Sequence, residues 1–418
     1  MSGARAALAG LTTRGRCLLA AGIALSACAL GLGQRDLLRA GVFLAALPLC
    51  AVAVVARTRY RLTCSRGVDP ARVTTGQAAT VRLRLDNVSR LPTGVLLMED
   101  ALPYTLGGRP RFVLDKVEPQ GRRDVTYPVR ADIRGRYRVG PLSVRLTDPF
   151  GLCELTRSFA GTDDLVVTPT VSRLPAVRLG GAWAGGGDAS ARSVAASGTD
   201  DAATREYRHG DDLRKVHWRS TARVGELMVR REEQPFQSRA TVLLDGRRRA
   251  HRGDGPGSSY EYAVSAAASI AVSLAQGGYL LRVLGETGED LGPPHCPLTE
   301  GVVLDTLALV QTTRTDGLAA ATARMRGGLD GALIAVLGAL DADDAERLAR
   351  LRVGGAACIA VLLDVEGWGV TGARHRRPAS EATALLAAAG WRVLPVTFGT
   401  PLSTVWPQAA TRRPGLSA

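Results

Sequence analysis

The stretches CLLAAGIALSACALGLG (Cys17–Gly33) and LLRAGVFLAALPLCAVAVVA (Leu37–Ala56) decide the architecture of this 418-residue chain. The first carries no charge, and the second only Arg39 near its outer end, where a long side chain can reach lipid headgroups. Each approaches the ~20 apolar residues that span a ~30 Å hydrocarbon core. Pro48 forfeits a backbone hydrogen bond, which a neighbouring helix makes tolerable in lipid. Gln34, Arg35 and Asp36 leave room only for a short turn, so residues 17–56 are predicted to form an antiparallel transmembrane hairpin. A cleaved signal peptide is the competing reading for the first stretch. The second span directly after it argues the other way. Arg5, Arg14 and Arg16 precede the first span, Arg57, Arg59, Arg61 and Arg66 follow the second, and the turn has Arg35 and Arg39. Positive charge concentrates on the cytoplasmic side. Both ends are therefore expected in the cytoplasm: residues 1–16 as its N-terminal part, and the large remainder as its soluble domains.

At 418 residues the chain is long enough for two or three domains with ordinary cores. A hydrophobic fraction of 46% and a charged fraction of 22% fit folded domains rather than disorder. Lys+Arg number 53 against 39 Asp+Glu, a formal +14, and the only lysines are Lys116 and Lys215. Such an excess favours anionic neighbours, phospholipid headgroups first and nucleic acid second. No consecutive basic block marks a specific nucleic-acid site. The seven cysteines show no paired C-x-x-C spacing, which argues against zinc, redox chemistry and a secreted disulfide framework.

From residue 62 to 175 the pattern turns to period two. ATVRLRLDN (Ala79–Asn87) alternates Val81, Leu83 and Leu85 with Arg82, Arg84 and Asp86, a strand with one buried face. Further strands read at Val95–Glu99, Arg111–Leu114, Arg123–Val129, Leu142–Leu146 and Leu165–Pro169, separated by turn residues such as Gly107-Gly108 and Asp148-Pro149. An antiparallel β-sandwich-like domain is expected, as a spacer or binding module. Residues 176–203, rich in Gly, Ala and Ser, read as a flexible linker.

Residues 204–233 form a dense charged motif, TREYRHGDDLRKVHWRSTARVGELMVRREE. Asp211 suits an N-cap, with Leu213, Val216 and Ser220 on one face of a helix that Gly225 ends before a strand at Glu226–Arg231. Its charges are nearly balanced, which favours an ion-pair network, and Trp218 is expected to bury its ring and stack an arginine. Over residues 234–400 strands alternate with helices. Strands read at Ala240–Asp245, Tyr279–Leu284, Gly331–Leu337, Cys358–Leu363 and Arg392–Thr397, and helices at Tyr260–Gln276, Gly301–Val310, Asp343–Leu351 and Ser380–Ala389. Continuous apolar strands imply an α/β domain whose mainly parallel sheet is covered on both faces. Ligands in such folds sit at the carboxyl ends of strands, which places Asp245 at the natural site. Residues 401–418 are left as a C-terminal tail.

Arg134-Gly135-Arg136-Tyr137-Arg138-Val139-Gly140-Pro141 and Asp148-Pro149-Phe150-Gly151-Leu152 resemble the hallmark of bacterial proteins containing the domain of unknown function 58. The charged motif resembles that family's best-known stretch at Arg205, Tyr207, Gly210, Asp211, Arg214, Trp218, Ala222 and Arg223. The resemblance implies two spans, a β-rich middle and a C-terminal part similar to von Willebrand factor type A domains, with no known catalytic activity or cofactor. It also implies partnership with a MoxR-type AAA ATPase. Type A domains often hold magnesium through Asp-x-Ser-x-Ser. Here Asp245 is followed by Arg247 and Arg249, fixed cations that oppose a divalent ion. Those arginines are expected to bind an anion such as a partner's carboxylate, or to lie in a solvent-exposed loop.

The leading expectation is a membrane-tethered, non-enzymatic interaction or scaffold protein, with Arg205, Tyr207, Gly210, Asp211, Arg214, Trp218 and Arg223 as its partner-binding motif. A metal-dependent hydrolase using His209, Asp211, Asp212 and His217 is the alternative in the enzyme class. No G-x-S-x-G, H-E-x-x-H or Walker pattern supports it. An anionic-lipid or nucleic-acid binder driven by the net charge is the third reading.

Overall fold

The computed structural model describes residues 10–59, 62–90, 92–148, 150–177, 179, 204–207, 216–230, 238–293, 298–326, 331–352, 357–368 and 380–410. The chain divides into two compact units, Met1–Thr168 and Pro169–Ala418.

The first unit begins with helices α1 (Thr13–Leu32) and α2 (Arg35–Arg59). The Thr12 side chain caps α1 by accepting from Gly15 N at 3.2 Å, and Gly33, at φ +68°, closes it with a bond to the Ala29 carbonyl. The two helices pack through small residues. A Cβ on Gly22 would lie 2.6 Å from Ala45 N, and one on Gly41 would lie 2.5 Å from Ser26 Oγ. Only residues this small allow such an approach of backbones. Away from that seam, Ile23, Leu30, Val42, Phe43 and Leu49 are exposed. Both helices are long and apolar enough to cross a membrane. Of the flanking arginines, Arg66 is not available to headgroups, because it is buried against Asp100 at 2.6 Å.

Ten strands follow: β1 (Leu62–Asp69), β2 (Arg72–Thr74), β3 (Ala78–Asn87), β4 (Leu96–Asp100), β5 (Arg111–Leu114), β6 (Arg122–Arg130), β7 (Gly135–Val139), β8 (Leu142–Thr147), β9 (Glu154–Phe159) and β10 (Asp163–Thr168). They form antiparallel sheets β1-β3-β6 and β5-β4-β8-β9, and a third, β2-β10-β7, whose β2–β10 pairing is parallel. Val81, Leu83 and Leu85 of β3 point inward, as their alternation predicts. They share one core with Leu96 and Met98 of β4, Val144 and Leu146 of β8, and Leu165 of β10. Leu11, just before α1, and Ala51 and Val52, about two turns before the end of α2, belong to the same core.

This unit ends at Thr168, earlier than residue 175. The apolar Val171, Leu174 and Val177 pack on the second unit's core instead, and Ser172 N donates to Ser269 Oγ at 2.9 Å. The expected linker at 176–203 falls almost wholly outside the described residues.

The second unit contains a five-stranded parallel sheet of β13 (Arg239–Leu244), β14 (Leu280–Leu284), β15 (Ala332–Leu337), β16 (Cys358–Leu363) and β17 (Arg392–Val396). Its order is β14-β13-β15-β16-β17, or 2-1-3-4-5 along the chain. Helices α4 (Ser259–Gln276) and α5 (Glu300–Leu309) cover one face. Helices α6 (Ala319–Arg326), α7 (Ala342–Ala349) and α8 (Ser380–Ala388) cover the other. Every residue of β15 and β16 is buried, the signature of a sheet covered on both sides. In this winding the direction of travel reverses between β13 and β15, which opens a crevice at their carboxyl ends.

Candidate functional site

Asp245 follows directly on β13 and is fully buried at that crevice. Arg247 is also buried, its side chain 1% exposed. Its Nε and Nη2 donate to the two Asp245 carboxylate oxygens, both at 2.9 Å, and its Nη1 donates to Asp344 Oδ2 at 2.5 Å. A fourth bond runs from Nη2 to the Ala339 carbonyl at 3.1 Å. One guanidinium thus joins the ends of β13 and β15, where the planar fork matches carboxylate geometry. Burial disfavours the Arg247 charge, yet the Asp245 hydrogen bonds and the Asp245 and Asp344 charges outweigh it and raise its pKa. The carboxylates are further satisfied by backbone: Gly338 N donates to Asp245 at 3.2 Å and Leu318 N to Asp344 at 3.0 Å.

The expectation for Arg247 is therefore corrected. It neither lies in an exposed loop nor awaits a partner's carboxylate, because the chain's own carboxylates consume it. Arg249 does lie outside, in a half-exposed pair with Asp341 at 3.1 Å, of the kind that contributes little. Among the described residues no cluster of three or more His, Cys, Asp or Glu is placed to hold a metal.

The surrounding shell is polar and ordered. His251 Nε2 lies 2.8 Å from the Asp245 carbonyl and Nδ1 3.1 Å from Ser259 Oγ. A carbonyl can only accept, so Nε2 carries the proton and Nδ1 accepts from the serine. Burial lowers the His251 pKa, against the opposing pull of Asp245. Glu286, past the end of β14, is buried and accepts from the Thr313 hydroxyl. Sequence reading missed Glu286, Thr313, Asp341 and Asp344. A carboxylate shortly after the strand beside the switch point was the available signal for Asp341 and Asp344. The described surface also carries an open groove of about 480 Å³ lined by Leu291, Pro293, Val302, Asp305, Thr306 and Leu309, none of them a member of this cluster.

The charged motif folds differently from its reading. Strand β11 (Thr204–Glu206) pairs antiparallel with β12 (Met228–Arg230), and between them lies the short helix α3 (Trp218–Val224). The helix starts at Trp218 because Val216 bridges to Val229 and His217 takes the capping position, its Nδ1 accepting from Ser220 N at 3.3 Å. Strand β12 also starts later than Glu226. Tyr207 N donates to the Leu227 carbonyl at 2.8 Å, placing it beside this ribbon. Trp218 does not bury its ring; it is 71% exposed. Val224, Leu227 and Arg223 are exposed with it. The side chain of Arg205, and all of His209, Gly210, Asp211, Asp212, Leu213 and Arg214, lie outside the described residues.

The Asp148–Leu152 motif forms the seat of the helix pair. Asp148 accepts from Cys153 N at 2.6 Å and Phe150 N at 3.1 Å, which folds the turn. The turn then binds the start of α1. Thr12 N donates to the Leu152 carbonyl at 3.0 Å, Thr12 Oγ1 to the Gly151 carbonyl at 2.7 Å, and Glu154 N to the Gly10 carbonyl at 2.8 Å. Gly15 packs so closely that a Cβ there would collide with the Leu152 carbonyl. In the other motif, Arg66 of β1 donates to the carbonyl of Val139 at 3.3 Å and, with Tyr127, clamps the buried Asp100.

No curated protein matches the sequence. Similar solved structures include the CARDB domain of the PF1109 protein from Pyrococcus furiosus, in complex with di-metal ions, at 15% identity and TM-score 0.19, covering 25% of this chain and 86% of that one. Another is the complex of zinc 2-glycoprotein and prolactin inducible protein from human seminal plasma, at 10% identity and TM-score 0.20, covering 25% of this chain and 92% of that one. Overlaps this low carry no argument about fold or function. Residues 203–364, from the charged motif to the end of β16, match the family described as protein of unknown function DUF58, which supports the assignment to that family made from the motifs.

Proposed function

We propose that this chain is a membrane-tethered interaction protein, anchored by α1 and α2 and presenting its folded units to a cytoplasmic protein partner. The observation that carries the reading is the Asp245–Arg247–Asp344 cluster. The carboxyl edge of a doubly wound sheet is where a substrate would enter, and here a buried guanidinium fills it. The domain is thereby organised by an internal cation. The exposed Trp218, Val224 and Leu227, with Arg223 beside them, supply the kind of aromatic and arginine surface that interfaces favour. The type A-like description rests on the family resemblance and on Asp245 at the switch point. By the same resemblance we propose a MoxR-type AAA ATPase as the partner, in assembly or maturation of other proteins. The arginines flanking the helix pair support a cytoplasmic orientation.

A photo-reactive amino acid at Trp218, in the full chain in native membranes, tests this. The reading expects a discrete protein adduct containing a AAA ATPase, weakened by Arg223→Glu. Adducts at 218 no different from those at the exposed Tyr104 would overturn it.

A further inference from the structure

We infer that the loop end of the first unit beside the helix pair is a second membrane contact, seating on an anionic lipid surface. The inference rests on the membrane reading above and adds a face that the spans do not require. Strand register defines this end. Leu62, three residues after α2, pairs with Asn87, so the loop after β3 lies here. Leu96 pairs with Leu146 and with Leu114, and Thr147 with Glu154, which brings the start of β4, the end of β5 and the Asp148–Leu152 turn to the same end. The start of α1 is bonded to that turn, as described. Both helices therefore meet the β unit at one rim, and their shared turn at Gly33 lies ~30 Å beyond it, at 1.5 Å per residue.

The rim exposes apolar side chains that a water-facing loop end does not need. Phe150 is 68% exposed, Val88 59% and Val95 49%. Phe150 is no accident of a loose loop, since the Asp148 carboxylate and the seated α1 fix the turn that bears it. Exposed arginines accompany these residues: Arg14 on the first turn of α1, and Arg90 in the loop after β3. The acidic Asp115 and Glu118 also occur at this end, Glu118 paired with Lys116 at 3.3 Å. Apolar side chains entering the boundary between headgroups and acyl chains, with guanidinium groups at lipid phosphates, are the chemistry of an interfacial anchor. Continuity with α1 and α2 selects the occupant. A rim from which two bilayer-length helices depart meets the bilayer surface before it meets any protein.

The test places an environment-sensitive fluorescent amino acid at 150, at 104 and at 43 in the full chain, reconstituted in nanodiscs containing phosphatidylglycerol and bromine-labelled lipid. Phe43 is exposed on α2, and Tyr104 is exposed at the opposite loop end. The proposal expects quenching at 43 and at 150, several-fold stronger than at 104, and a drop at 150 when phosphatidylcholine replaces phosphatidylglycerol. Quenching at 43 with 150 indistinguishable from 104 would overturn this inference and leave the spans standing. No quenching at 43 would overturn both. The probe at Val88 or Val95 gives the same readout if a substitution at 150 disturbs the turn.

Discussion

Arg247→Met removes one guanidinium and leaves two carboxylates buried at the end of the sheet. Asp245 keeps its backbone donors Arg247 N at 3.1 Å and Gly338 N at 3.2 Å, and Asp344 keeps Leu318 N and the half-exposed Arg347. Neither carboxylate keeps a fully buried counter-charge. Removing one partner of a buried pair costs ~3–5 kcal/mol, mostly from the charge left behind. For a unit of this size that corresponds to a fall of ~6–20 °C in the unfolding midpoint, at ~2–4 °C per kcal/mol. The assay is simplified by where tryptophan occurs. All five lie beyond residue 168, with Trp368, Trp391 and Trp406 buried, so emission follows the second unit alone. Adding Asp245→Asn and Asp344→Asn to Arg247→Met should recover most of the loss, because the uncompensated charge is gone. Arg247→Ser tests the same point from the other side. It frees oxygen ligands at the crevice, so millimolar magnesium should raise the variant's midpoint and leave that of the native chain unchanged. A Met variant that melts within about 1 kcal/mol of the native chain would refute the assignment of Arg247 as the organising cation, since that is the range of exposed pairs.

Three further outcomes are expected. Burial lowers the pKa of His251, so the unfolded chain binds its proton at higher pH than the folded one. Its contribution is complete above the unfolded value of about 6.5 and is lost as pH falls through the lower folded value. The tryptophan-detected midpoint should therefore drop below about pH 6.5, and His251→Gln should flatten that dependence. Asp148→Ala removes acceptors from Phe150 N and Cys153 N; it should cost ~1–3 kcal/mol and speed hydrogen exchange at both amides and at Thr12. Burial first, and then the hydrogen bond to Asp100, raise the Tyr127 pKa. In an alkaline absorbance titration of the folded chain Tyr127 should therefore stay protonated, and Tyr127→Phe should leave the early amplitude unchanged.

The elements legible in the sequence are those whose burial is periodic or continuous. ALIAVL and CIAVLL read as buried strands because no face of β15 or β16 meets water. Val81, Leu83 and Leu85 declared the inner face of β3. Other strands hid behind arginine and small residues. GRYRV in β7 alternates only Tyr137 and Val139 against two arginines, and in LTCSRGVD of β1 Arg66 interrupts the face of Leu62, Cys64 and Val68; pairing with a neighbour makes both of them strands. Helix α6, AAATARMR, buries only Ala321, Thr322 and Met325, too little apolar surface for a visible stripe. In the charged motif a capping residue was available at Asp211, yet Val216 is taken up by Val229 and the helix begins after it. Asp245 was placed at the strand end by winding alone. The fate of Arg247 was not readable, because Asp344 lies 97 residues further along the chain. A charge reads as exposed until its partner is known.

The anchoring claim is tested most directly by protease protection of tags at both ends of the full chain, in sealed membrane vesicles washed at alkaline pH. The account predicts that the protein stays in the washed membrane, with both tags on the cytoplasmic face and cut together when that face is outward. Release by the wash, or one tag cut while the other is protected, would contradict it.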